Sequence, residues 1–313
     1  MRNLVKIARS VRAFKDAFIS AAPRQPLSPA ARPRIGIAMG GGFARGLAHV
    51  GILHVLEAEG IPIDFVAGTS VGAVMGAMYC SGVSVKEMIE IAHLVRFRDF
   101  ARWTVSRFGF CTNDRMAPFL RKLMKCSTFE ELKVPLAVTA TDFVTGEGVV
   151  FRTGSLIDAI RASCAYPGMF LPIQHNGRLL IDGLLAYPVP AKPVRDMGAE
   201  RVISVYLSAH WVDRKGPRHV FDVIGQCFSI AQARMCESWK AQSDVVIEPN
   251  VSAFSYDAFE RAPEIIRMGE ESVRPLIPTI KRWLEQPQPL VTPQRSPRAL
   301  PAPAAPLANE LKA

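Results

Sequence analysis

Ser70 stands at the centre of Gly68-Thr69-Ser70-Val71-Gly72, directly after an apolar strand-like run and directly before a helix-like one. A serine hydroxyl attacks an ester carbonyl only when a base takes its proton, and a sharp strand-to-helix turn exposes it for that attack. Such a turn needs small neighbours. Gly68 and Gly72 supply the room, and Ala73, Gly76 and Ala77 let the following helix lie close to a sheet. The helix amino terminus adds a positive field that favours a developing anion at Ser70. On this motif alone a plainer reading stands beside catalysis, a glycine-rich junction with Ser70 as an ordinary helix cap.

Gly40-Gly41-Gly42-Phe43-Ala44-Arg45-Gly46 lies between another strand and helix, so its backbone N–H groups can converge on an anion without side-chain obstruction. A dinucleotide-binding turn and an oxyanion hole both use such a loop. The dinucleotide spacing fails. Counting G-x-G-x-x-G from Gly40 puts Arg45 in the last glycine slot, and counting from Gly41 puts Phe43 in the middle one. Asp64 also sits near the start of the second strand, whereas a ribose-binding acid belongs at a strand's carboxyl end. Two adjacent strand ends are therefore expected to present an amide-rich loop and a nucleophile on one edge of a sheet.

The elements that must position these groups are legible as alternating segments. Residues 34–39, 63–67, 134–142, 148–152, 178–182, 201–207 and 244–249 read as strands, and 44–59 and 71–80 as helices ending near Gly60 and Gly82. This alternation predicts an α/β fold around a mostly parallel sheet.

Composition bounds the rest. The 313 residues, 49% of them hydrophobic and 21% charged, suffice for a sizeable core. No apolar run reaches the roughly 18 residues of a membrane-spanning helix, and charges along the first residues argue against a secretory signal. The six cysteines form no CxxC pair, which fits a reducing cytoplasm and excludes a structural zinc site by spacing. The net charge of +10 is unevenly spread: residues 1–34 carry eight basic side chains against Asp16, leaving residues 35–284 at only +2. A nucleic-acid reader carries its basic footprint on the folded domain, so nucleic acid is not the expected partner. Leu4, Ile7, Val11, Phe14 and Phe18 recur at helical spacing among the Lys and Arg of the arm. Peripheral contact of residues 1–20 with an anionic membrane and packing on the domain are its two readings. The expected division is a basic arm and Pro-containing linker over 1–33, a folded unit over 34–284 and a Pro-rich tail over 285–313.

The stretch GGGFARGLAHVGILHVLEAEGIPIDFVAGTSVGAVMGAMYCSG resembles the patatin-like phospholipase family, particularly its bacterial branch related to neuropathy target esterase. The resemblance continues at RASCAYPGMFLPI (161–173) and IDGLLAYPVP (181–190). It implies a three-layer α/β/α patatin-like fold and a lipid acyl hydrolase of phospholipase or lysophospholipase type, acting on lipid or fatty-acyl esters without cofactor or metal. Ser70 matches the nucleophile and Asp182 its partner in a dyad. Gly41, Gly42 and Phe43 match the oxyanion loop, with Gly40, Arg45, Gly46, Gly68, Gly72 and Gly183 as supporting motif positions.

Two positions depart from the pattern. Phe43 replaces a small residue in the loop, and Leu184 follows Asp182-Gly183 where the family has Gly or Ala; Tyr187 takes the place of a common Asn. These changes bear on access and on the turn that presents Asp182, and they keep a second reading open, a catalytically weak lipid-binding or regulatory protein on the same fold. A Ser-His-Asp esterase is the rival within the enzyme class, since Ser70, Asp182 and His210 stand in the order of an α/β-hydrolase triad. His49 and His54 are read as packing or surface histidines, Arg45 as an anchor of the loop, and Phe97 to Phe110 as a lid, a channel wall or core.

Overall fold

The computed structural model describes residues 32–106, 109–112, 114–208, 216–217 and 220–285. Strand β1 (Ile35–Met39) is buried along its whole length, as expected of a central parallel strand covered on both faces. A 3-10 turn over Phe43–Leu47 leads into helix α1 (Ala48–Ala58), and Gly60 ends the segment at a φ of 70°. Strand β2 (Phe65–Thr69) feeds α2 (Val71–Cys80), which is followed by α3 (Val85–Leu94). A short ribbon of β3 (Arg102–Ser106) and β4 (Gly109–Thr112) precedes α4 (Met116–Leu123). Then come β5 (Leu136–Asp142), β6 (Gly148–Phe151) and α5 (Leu156–Ser163). Strands β7 (Gly168–Phe170), β8 (Ile173–His175) and β9 (Arg178–Asp182) are short, and α6 (Ala191–Asp196) leads to β10 (Arg201–Val205). The chain continues through α7 (Val220–Arg234), α8 (Cys236–Lys240), β11 (Val245–Ile247), α9 (Ala262–Val273) and α10 (Ile277–Glu285).

The main sheet has the order β11-β10-β1-β2-β5-β9-β8, with β6 also paired to β5. The five strands from β11 to β5 are parallel, and β6, β8 and β9 add antiparallel pairs at the far side. The expected mostly parallel sheet is thus present. Alternate residues of β1 divide the two cores. Ile35, Ile37 and Met39 join Val66 and the apolar faces of α1, α2 and α9. Ala38, Ala67 and Ala137 face the other way, against Val194 of α6 and Trp239 of α8. Helices on both faces make the three-layer α/β/α arrangement. The small residues on the second face set its thickness, since a Cβ added at Gly36 would lie 2.8 Å from that of Ala199.

The second strand begins two residues later than the sequence suggests. Asp64 precedes the strand and clasps the start of β1: its N–H donates to the Ile35 carbonyl at 2.7 Å, and its carboxylate accepts the Ile35 N–H at 2.8 Å and pairs with Arg32 at 2.7 and 2.8 Å. That placement also gives Asp64 a structural role at the amino end of β1, far from any phosphate loop. The aromatic segment 97–110 builds β3 and β4, which with β7 form a separate three-stranded sheet.

Candidate active site

Parallel pairing of β1 with β2 sets Met39 beside Gly68, so the glycine loop and Ser70 leave the sheet side by side. A Cβ added at Gly41 would lie 3.2 Å from that of Ser70, a measure of how closely the loop passes. Ser70 itself has φ 54° and ψ −123°, a conformation that costs a non-glycine residue about 1–3 kcal/mol. Neighbours hold it there. Its N–H donates to the buried hydroxyl of Ser163 at 2.8 Å. Thr69 Oγ1 donates to the Tyr187 carbonyl at 2.7 Å and lies 2.7 Å from Thr139 Oγ1. A Cβ at Gly68 would meet Ala73 at 2.5 Å, so only glycine permits the tight entry into α2.

The register of β5 explains how Asp182 reaches this turn. Thr69 ends β2 opposite Thr139, and Asp182 ends the antiparallel β9 opposite Ala140, the next residue of β5. Because β6 occupies the other edge of β5 through this stretch, β2 and β9 share one edge and run head to head. Their carboxyl ends meet at Ser70 and Asp182. Asp182 is fully buried; its N–H donates to the Ala165 carbonyl at 3.0 Å, and its own carbonyl accepts from Thr141 Oγ1 at 2.9 Å. Oδ1 accepts the Leu184 N–H at 3.0 Å, so Leu184 keeps the turn that presents the acid.

Burial raises the Asp182 pKa to about 7, against the opposing effects of the Ser70 hydroxyl and the Leu184 N–H. The Ser70 hydroxyl is thus close enough to favour the carboxylate, yet Oδ2 has no partner of ordinary hydrogen-bond geometry among the described residues. The two groups are neighbours without a formed hydrogen bond, an arrangement that substrate binding can tighten. The Cys164 thiol, its pKa pushed up by burial, flanks the same hydroxyl.

Around the loop, the N–H groups of Gly40 and Ala44 are engaged by the Val205 and Tyr256 carbonyls, both at 3.0 Å. Those of Gly41 and Gly42 have no intramolecular acceptor among the described residues, which leaves two adjacent donors beside Ser70. His49 fixes the start of the loop, with Nε2 2.9 Å from the Gly40 carbonyl. Burial lowers its pKa to about 4, so the ring is neutral and Nε2 carries the donated hydrogen. Arg45 is buried beneath the loop near Tyr166, its pKa lowered by desolvation to about 10. Phe43, at φ 52°, packs edge-on against Tyr166 with ring centroids 4.9 Å apart. Gly46 and Gly72 are the close-packing points of the loop against Val71 and the end of β1, and Gly183 lies against Thr139.

Ser70 opens onto an apolar cavity. Its walls come from α2, α3, α4, the aromatic segment and the turn before α9, including Met75, Met88, Phe100, Phe119, Leu120 and Phe259. Phe43 and Cys164 line it near Ser70. Sequence reasoning assigned no role to Ser163, Cys164 or Tyr166, although all three lie in the 161–173 motif. It read His49 as packing or surface; burial and the bond to Gly40 make it a loop support, whereas His54 meets Glu270 at the surface at 2.7 Å. His210 and the arm of residues 1–31 lie outside the described residues. No described helix is long and apolar enough to cross a membrane.

An α/β fold that carries a serine at such a turn, a buried carboxyl group at the same sheet edge and a facing amide loop defines a serine hydrolase-like site. A patatin-like phospholipase family model matches residues 37–195, half of the chain, and includes every one of these groups. The chain belongs to the patatin-like phospholipase family. It is 30% identical over 251 residues to an uncharacterised NTE family protein of Mycobacterium tuberculosis, covering 74% of this chain and 68% of that one. It is also 30% identical over 197 residues to lysophospholipase NTE1 of Cryptococcus neoformans, covering 61% of this chain and 12% of that protein. Among solved structures, VipD from Legionella pneumophila aligns with a TM-score of 0.49 and 13% identity, over 85% of this chain and 73% of that one.

Proposed function

We propose that the chain hydrolyses the acyl ester bond of a phospholipid or lysophospholipid through a Ser70-Asp182 dyad. Its family supports lipid-ester hydrolysis in general. The observation that carries the finer reading is the opening of a cavity lined by apolar side chains onto a strained serine beside a buried carboxyl group. Ser70 Oγ attacks the ester carbonyl while its proton passes to Asp182 Oδ2. The N–H groups of Gly41 and Gly42, with that of Phe43, stabilise the resulting oxyanion. Collapse breaks the carbon–oxygen bond to the alcohol, which leaves with the proton from Asp182, and the acyl group stays on Ser70. Water then gives a proton to Asp182 and attacks the acyl-enzyme, releasing the fatty acid and returning the proton to Ser70.

A panel of phospholipids, lysophospholipids, acylglycerols and short-chain esters, run with wild type, Ser70→Ala and His210→Ala, tests this reading. Ser70→Ala should lose activity by a factor on the order of a thousand or more while staying folded; His210→Ala should remain active. Equal inactivation by His210→Ala would replace the dyad with a triad. Failure of a fluorophosphonate to label Ser70 would favour the weakly catalytic lipid-binding protein.

A further inference from the structure

The near-neutral total of residues 35–284 conceals a local excess of charge. Residues 96–125 hold eight basic side chains against Asp99 and Asp114, a net +6. Arg98, Arg102, Arg115, Arg121, Lys122 and Lys125 of this segment are exposed. Its two acids do little to cancel them: Asp99 accepts the Arg96 backbone N–H, and Asp114 meets Arg102 only at 3.7 Å in open solvent. The same segment forms one wall of the cavity. In α4, Met116, Leu120 and Leu123 turn inward and line it, while Arg121 and Lys122 turn out.

The ribbon beside that wall exposes large apolar side chains where a soluble surface carries polar ones. Trp103 is 64% exposed and Phe110 46% exposed. They lie on opposite faces of the ribbon, because Trp103 pairs with Cys111 and Phe110 is the next residue along β4. Phe110 packs edge-on against Phe221 of α7 with ring centroids 5.4 Å apart, whereas Trp103 is turned further into solvent on its own face. An apolar path also runs inward from the ribbon. The rings of Trp103 and Phe97 are 6.4 Å apart, those of Phe97 and Phe170 6.2 Å, and Phe170 lines the cavity.

We propose that the exposed Arg98, Arg102, Arg115, Arg121 and Lys122, with the Trp103 ring, form a docking face for an anionic phospholipid bilayer, the ring entering the interface and the basic side chains meeting headgroup phosphates. Charge complementarity selects the anionic bilayer, and continuity with the cavity wall gives the docked lipid an apolar route inward. The biological sense of this face rests on the lipid-hydrolase reading, but binding itself does not require turnover. Arg and Lys near an anionic surface each contribute about 1 kcal/mol, screened by salt, and aromatic rings favour the headgroup layer.

The test is co-sedimentation of the full chain with phosphatidylcholine vesicles made with and without phosphatidylglycerol. Because the basic arm binds by the same chemistry, the deciding background replaces Arg2, Lys6, Arg9, Arg12 and Lys15 with Gln in the full chain. There, the combined change Arg98→Glu, Arg102→Glu, Arg121→Glu and Lys122→Glu should weaken binding to the anionic vesicles by a factor on the order of ten or more. Hydrolysis of a soluble short-chain ester should stay within about twofold, which separates loss of the face from loss of the fold. Fluorescence quenching by bromine-labelled lipid should fall in Trp103→Phe, a change that preserves packing. Ser70→Ala should bind as wild type, so the face and the active site fail independently. The proposal is overturned if the arm-neutralised protein does not bind, if the four reversals leave its binding within twofold, or if Trp103→Phe leaves quenching intact.

Discussion

The hydroxyl of Ser163 accepts the backbone N–H of Ser70 at 2.8 Å, so the end of α5 holds the residue whose backbone bears the strain of the turn. Ser163 does not itself line the cavity and acts through the backbone of Ser70. Ser163→Ala leaves a buried N–H without its acceptor, at a cost of about 1–3 kcal/mol, and frees Ser70 to relax. The expected result is a ten- to hundredfold fall in kcat with KM near wild type, and an equal fall in the rate of fluorophosphonate labelling. A kcat within twofold of wild type would show that the strained turn holds without this bond.

Under the proposed dyad Asp182 must be ionised to accept the Ser70 proton, and its burial raises its pKa to about 7. The profile of kcat/KM on a soluble ester should therefore lose activity about tenfold per pH unit below that value. A histidine base would give a limb in a similar range, so the profile is to be repeated in His210→Ala. Under the dyad the limb persists unchanged; its disappearance or a large displacement would transfer the base to His210.

The cavity predicts chain-length selectivity. Val74 is half-buried on α2 and lines the cavity one turn beyond Ser70. Val74→Trp fills space that an acyl chain would use, and each methylene denied burial costs about 0.8 kcal/mol. Exclusion of several methylenes should reduce hydrolysis of long-chain esters by a factor on the order of a hundred while butyryl esters are spared. A uniform loss across chain lengths would place the acyl group elsewhere.

Much of this site is legible in the chain because its parts are local. Gly68, Ser70 and Gly72 sit within five consecutive residues, and the bend they make is set by sterics that a sequence displays directly. The helix 71–80 and the strand 178–182 have the bounds their patterns predict. The meeting of Ser70 with Asp182 was supplied by family likeness alone. It depends on β2 and β9 sharing one edge of β5, a relation between strands more than a hundred residues apart that no local pattern encodes. Ser163 and His49 were missed for the same reason, since a buried serine or histidine reads as packing until its partner is known. Leu184 departs from the family pattern at the turn that presents Asp182, but the bond to Asp182 uses its N–H and not its side chain.

Two buried groups at the site titrate in opposite senses, which makes their effects separable. Asp182 has its folded pKa raised to about 7, above the roughly 3.9 of an unfolded aspartate. Between those values the folded chain holds a proton that the unfolded chain has released, so this contribution to stability is full below pH about 4 and is lost as pH rises to about 7. His49 has its folded pKa lowered to about 4, below the roughly 6.5 of an unfolded histidine. Its contribution is full above pH about 6.5 and is lost as pH falls to about 4. The two slopes oppose each other in wild type across nearly the same window. Asp182→Asn removes the first, so the melting temperature should climb from pH 4 to 6.5 more steeply than in wild type, with a net gain at neutral pH despite lost activity. His49→Gln removes the second while its amide can still donate to the Gly40 carbonyl, so the melting temperature should fall over that range relative to wild type. Thermal melts of the three proteins at matched pH read these differences directly, because contributions from groups distant from the site are common to all three and cancel. Parallel curves for the three would mean that neither group keeps its shifted pKa in the folded protein, and Asp182 would lose its claim to act as the base.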